Sequence, residues 1–200
     1  MFSQVQALPE TEHSDVRRRE IIAATIGLIA EKGMEGLRIR SVADQVGLNN
    51  ATLHYYFKTK EVLIEATVKA IVHDLVSTHT PARSTNPTTP REEMECHFDD
   101  ILYQIRYFPA RFVVRGELLM RSRHEDAVHA ILMRTDEDWH AYLVDILERG
   151  VAVGQFSSQI DIPSIGHLVM MLLKGAIMQL NASPDQVDQV IKQVRQWLFA

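Results

Sequence analysis

Apolar residues recur at helical spacing along nearly the whole chain. Ile21, Ile22, Ala24, Thr25, Leu28 and Ile29 fall on one side of a helix that Ser14 or Asp15 would open and Gly33 would close. Two shorter helical patterns follow: Arg38 to Val46, stopped by Gly47, and Asn49 or Asn50 to Tyr56. Thr59 is placed to cap a fourth helix, which carries Val62, Leu63, Ala66 and Ala70 on one side and ends near Thr78. From His79 to Pro90 the chain is polar and holds Pro81, Pro87 and Pro90, so it reads as a mobile loop.

Helical spacing resumes from Arg91 to Tyr107, from Ala110 to Arg123 and from Ala127 to Val151. Gly150 and Gly154 break the third of these, and Gln155 to Ile160 make a turn. Asp161 and Pro163 open a helix that is apolar almost all round and therefore needs cover on more than one side. The last helix has a capping box: Ser183 as N-cap, Pro184 at its first position and Gln186 reaching back. Its stripe is Val187, Val190, Ile191, Val194, Trp197 and Leu198. With no alternating strand pattern, repeat or glycine-rich phosphate loop, the expected class is all-α. Residues 1–13, without periodicity and containing Pro9, read as a mobile arm.

Charge changes this picture only when it is divided. The chain carries −5 overall, but residues 1–63 balance eight Lys and Arg against eight Asp and Glu. Residues 37–60 hold Arg38, Arg40, Lys58 and Lys60 against the single acid Asp44. Phosphate attraction is local, because salt screens charge over about 8 Å. A lone cysteine, Cys96, excludes an internal disulfide framework and fits a cytoplasmic protein, with a half-buried apolar role for the thiol. The N-terminus has no apolar signal segment. Ile165 to Leu180 is too short to span a membrane easily and contains His167 and Lys174.

Residues 39–58 have the residue types a helix-turn-helix needs. Ala43 is small where two helices cross, Gly47 occupies the turn, and Asn49 can satisfy the first N–H groups of the second helix. Val42, Val46, Leu48 and Leu53 bury between the helices, with Tyr56 half-buried beside them. The run Ile22-Ala23-Ala24, Leu28, Gly33, Val42-Ala43, Gly47-Leu48 and Thr52 through Leu63 resembles the N-terminal signature of the TetR family of transcription regulators. The resemblance covers about residues 17–63; beyond it, only helix number and the Gly150/Gly154-Gln155-Phe156 turn are similar. His54 stands where the family usually has tyrosine, and Leu37-Arg38 replaces the usual threonine or serine pair before the second helix.

The resemblance implies a DNA-binding domain over 14–63 and a ligand-binding and dimerisation domain over 64–200. It implies a recognition helix in the major groove of double-stranded DNA. Asn50, Ala51 and His54 would face base edges, and Thr52, Tyr55 and Tyr56 would hold phosphates. Lys60 and Arg38 would meet phosphate, Arg17, Arg18 and Arg19 the flanking backbone or a minor groove, and Asn49, Arg40 and Lys58 complete the surface. A homodimer on a near-palindromic operator is expected through Ile165, Leu168, Val169, Leu172, Ile177, Val187, Val190, Ile191, Val194, Trp197 and Leu198. A small-molecule effector would be lined by Tyr103, Tyr107, Phe108, Phe112, Met120, Trp139, Tyr142 and Met171. The segment Arg106–Arg111 is the expected link to the fourth helix.

Three other readings have weaker support. A metal sensor is suggested by nine histidines and by Asp136 and His140 four apart on one face, but no segment has metal-ligand density; His124 and His129 face different ways. Catalysis fails because His124-Glu125-Asp126-Ala127-Val128-His129 misses the zinc-protease spacing by one residue. A non-specific DNA-compacting protein would show no preference for a palindrome. Neither cofactor nor bound metal is expected.

Overall fold

The computed structural model describes residues 10–81, 87–178 and 184–199. Residues 1–9 of the expected arm, residues 82–86 of the 79–90 loop and the N-cap Ser183 lie outside the described residues. Among the described residues the structure is all-helical. The order is α1 Glu10–Gly36, α2 Ile39–Gln45, α3 Asn50–Tyr56, α4 Lys60–Ser77, α5 Pro90–Tyr107, α6 Pro109–Arg121, α7 Asp126–Ala152, α8 Ile162–Met178 and α9 Pro184–Leu198. The first helix begins at Glu10, inside the segment expected to be a free arm. It breaks where foreseen, at Gly33 (φ 68°), and a further turn runs on to Gly36.

The chain divides into two compact units, Met1–Ala70 and Ile71–Ala200. In the first, α1 packs on α2 and α2 on α3. Ile21, Leu28, Ile29, Leu37, Val42, Ala43, Leu53 and Phe57 are buried there. Apart from Ala43, each of these side chains contributes about 2 kcal/mol when removed from water. Gly47, at φ 66°, turns the chain between α2 and α3. Its N–H donates to Asp44 O (3.3 Å) while the Leu48 N–H donates to Ala43 O (2.9 Å), closing α2 with a Schellman motif.

In the second unit α7 packs against α5 and α8, α9 against α5 and α8, and α6 against α5, α7 and α8. Met94, Phe98, Leu143, Ile146, Leu147, Val169, Leu173, Val187 and Ile191 form its core with Phe156. Thr89 caps α5 by accepting from the Glu92 N–H at 3.2 Å, with Pro90 at the first helical position. The apolar helix α8 buries Val169, Met170 and Leu173 but leaves Leu168, Met171 and Leu172 exposed.

Candidate nucleic-acid interface

Helix α3 is presented outward because only one of its sides is apolar. Leu53 is fully buried, and Phe57, just past the end, is buried as well. Asn50, Ala51, His54 and Tyr55 are exposed, Tyr55 at 81%, and Thr52 and Tyr56 are half-buried. Asn49 caps the helix as foreseen: its Oδ1 accepts from Thr52 N at 2.8 Å and from Thr52 Oγ1 at 3.0 Å. The Thr52 hydroxyl therefore already donates within the cap. The rings of Tyr55 and Tyr56 meet edge to face with centroids 5.4 Å apart. His54 Nδ1 lies 3.2 Å from Lys58 O. Arg38, at the N-cap of α2, makes no side-chain cap, and Arg38, Arg40 and Lys58 are exposed. Thr59 Oγ1 accepts from Val62 N at 3.2 Å and so caps α4.

Three of the residues expected to meet phosphate have partners within the chain. Arg18 turns inward: its Nη1 donates to Tyr56 O at 2.6 Å, and its guanidinium lies 4.4 Å from the Phe57 ring centre. That bond satisfies a carbonyl left open at the end of α3, so Arg18 clasps the recognition helix from α1. Arg17 is ion-paired with Glu20. Lys60 donates to Leu37 O at 2.7 Å, tying the start of α4 to the α1–α2 junction; two of its three protons remain for a phosphate. Arg19 is exposed, its Nε 3.3 Å from Asp15 O. The Arg18 bond spans 38 residues, so linear spacing holds no signal for it.

In the second unit the residues expected to line a pocket separate by helix face. Tyr107, Met120, Tyr142 and Met171 are exposed and Phe112 is buried, because residue type and not face had grouped them. Tyr103, Phe108 and Trp139 are half-buried. Of the expected interface residues, Val169, Val187, Ile191, Val194 and Leu198 belong to the chain's own core. Ile165 packs beside that core, and the side chain of Ile177 lies outside the described residues. Leu168, Leu172, Val190 and Trp197 stay exposed.

The end of α4 is held by side chains the sequence had only partly flagged. Gln104 Nε2 donates to Leu75 O (3.1 Å) and Thr78 O (3.0 Å). Arg111 pairs with Asp74 at 3.0 Å and donates to Thr78 Oγ1 at 3.0 Å. The buried Asp100 accepts from Thr80 N and contacts His79 Nδ1, both at 2.7 Å. Arg111 lies in the expected link segment; Asp100 and Gln104 lie six and two residues before its start. Asp136 and His140, the pair behind the metal reading, go separate ways: Asp136 binds cations, and His140 Nε2 lies 3.0 Å from Pro163 O. Among the described residues no three His, Cys, Asp or Glu side chains are grouped to hold a metal ion. Nor is any described helix long and apolar enough to cross a membrane.

Residues 21–67, spanning this helix-turn-helix, match the model of the family described as bacterial regulatory proteins, tetR family. Over those residues the chain has a TetR-family DNA-binding domain. It is a DNA-binding transcriptional regulator and not an enzyme. It is 25% identical over 162 residues to the HTH-type transcriptional repressor KstR2 of Mycolicibacterium smegmatis, covering 80% of this chain and 78% of the relative. It is 31% identical over 97 residues to the HTH-type transcriptional regulator BetI of Burkholderia cenocepacia, covering 46% of this chain and half of that relative. It shares its fold with a TetR transcription regulator from Haloarcula marismortui, at TM-score 0.81 and 20% identity over 92% of this chain and 97% of the other.

Proposed function

We propose that this TetR-family chain acts in the cytoplasm as a homodimeric repressor that binds a near-palindromic operator and leaves it when a small-molecule effector binds the second unit. The observation that carries this reading is the outward face of α3, where Asn50, Ala51, His54 and Tyr55 are exposed while Leu53 anchors the helix from beneath. One seven-residue helix reads few base pairs, so operator specificity calls for a second copy. The exposed apolar side chains Leu168, Met171 and Leu172 on α8 and Val190 and Trp197 on α9 supply a face for it. Repression follows the Mycolicibacterium relative, a repressor by name. Arg111, Gln104 and Asp100 link effector to DNA: a ligand that shifts α5 or α6 pulls on the last turn of α4 through their bonds. By linkage, DNA must weaken the effector by the same factor.

Selection of bound sequences from a random DNA pool tests the reading. Enrichment of a palindrome with half-sites about one helical turn, roughly 34 Å, apart is expected; a pool that stays random defeats it. Sedimentation of Trp197→Glu should show monomers, because the substitution places charge in an apolar seam.

A further inference from the structure

Arg115 of α6, Asp136 of α7 and Lys174 of α8 meet in one cluster. Arg115 Nη2 reaches Asp136 Oδ1 at 2.8 Å and Lys174 Nζ reaches Asp136 Oδ2 at 2.7 Å. Their side chains are only 13%, 17% and 28% exposed. Among the described residues no other acidic side chain pairs with Arg115 or Lys174, so two cations share a single carboxylate. Both oxygens of that carboxylate are already engaged. A half-buried cluster with one positive charge in excess is costly unless an anion completes it. Other interhelical arginines of the second unit differ in sign balance: Arg149 faces Glu93 and Asp145, Arg195 faces Glu95 and Asp99, and Arg106 and Arg111 each have a carboxylate of their own, Asp185 and Asp74.

An aromatic wall adjoins the excess charge. Lys174 Nζ lies 5.9 Å from the centre of the Trp139 ring. Trp139 Nε1 donates to His97 Nε2 at 2.9 Å, and the His97 ring lies 5.5 Å from that of Tyr142. Few convergent polar groups beside aromatic side chains is the composition of a small-molecule site. The guanidinium fork suits the planar or tetrahedral oxygens of a carboxylate or phosphate, and the lysine adds a point charge.

We propose that Arg115 and Lys174 bind the oxyanion head of the effector, a carboxylate or phosphate, with its apolar body against Trp139. The proposal rests on the effector-released reading above and names the ligand class for it. Arg115 stands one helical turn from Arg111 on α6, so the head group binds on the helix that grips the end of α4.

Titration calorimetry of the full chain with octanoate, octyl phosphate, octanol and octyltrimethylammonium, at fixed ionic strength, tests it. Octanoate or octyl phosphate should bind at least tenfold tighter than octanol and the cation, and the stronger of the two identifies the head group. Lys174→Met should weaken that anion at least tenfold and change octanol less than twofold. Arg115→Lys, which keeps charge but loses the fork, should weaken it severalfold and serves if the methionine variant fails to fold. Octanol binding as tightly as either anion, no anion binding, or anion affinity indifferent to both variants overturns the site. Anion binding that leaves the affinity for the selected operator unchanged overturns its role as effector site. A random DNA pool alongside charge-dependent octanoate binding would instead count against the regulator reading and leave the anion site standing.

Discussion

Two turns of the same local construction occur in the two units, and their surroundings differ. After α2, Gly47 (φ 66°) donates to Asp44 O and Leu48 to Ala43 O at 2.9 Å. After α7, Gly154 (φ 73°) donates to Val151 O and Gln155 to Gly150 O at 2.8 Å. Both glycines have open space where a side chain would begin. The residues accepting the second bond of each pair, Ala43 and Gly150, are not equivalent. Ala43 carries a buried methyl group, whereas a Cβ on Gly150 would lie 1.9 Å from Cδ2 of Phe156. The first turn leads straight into a helix whose far face must stay free. The second folds a phenyl ring back into the core beside Phe199, ring centres 5.8 Å apart. Backbone geometry sets the positive φ in both; only a tertiary contact decides whether a methyl group is tolerated three residues before the cap.

The largest test of that contrast is Gly150→Ala, which should lower unfolding free energy by about 3 kcal/mol in urea titration through overpacking against Phe156. A loss no greater than that of Gly47→Ala would erase the contrast. Arg18→Met should cost about 2 kcal/mol, because it leaves the Tyr56 carbonyl without its donor, and should weaken operator binding as α3 loosens. Tyr55→Ala sharpens the opposite extreme: stability within about 0.5 kcal/mol of the parent, since its ring is exposed, with operator affinity reduced by about 1–2 kcal/mol in a gel shift. Gly47→Ala should cost about 1 kcal/mol from strain at positive φ alone. Smallest is Glu92→Gln at the start of α5. The Thr88 backbone N–H, followed by its hydroxyl, holds the Glu92 carboxylate below its usual 4.5. A depressed pKa contributes stability above the unfolded value and loses it as pH falls. The parent should therefore lose its small advantage over the glutamine variant on acidification below about pH 4.5 in thermal melts.

Most helix boundaries were legible because their signals are local. Asn49, Thr59 and Gly47 act as spacing predicts, and α3 ends at Tyr56 as expected. Thr89-Pro90-Arg91-Glu92 carries the same start signal as Ser183-Pro184, and its helix opens at Pro90, one residue before the periodicity resumes at Arg91. The exposed face of α3 was readable from one buried leucine in seven residues. The cationic residues were the least legible. Arg17, Arg18 and Arg19 are consecutive, but they end in an ion pair, a clasp on another helix and an exposed position. A flexible, three-donor or five-donor side chain goes to whatever acceptor the fold brings within reach. The apolar stripe of α9 divided for a similar reason: Val187, Ile191, Val194 and Leu198 face the core, and Val190 and Trp197 fall just off it.

The order of helices, their caps and the small residues at the α2–α3 crossing were written in the sequence, because each depends on neighbours within a few positions. Which arginine clasps a helix end, which holds α4 and which shares Asp136 with a lysine was decided by the packed structure. Those pairings join residues tens of positions apart, and their electrostatic balance depends on which groups burial has left within reach of one another.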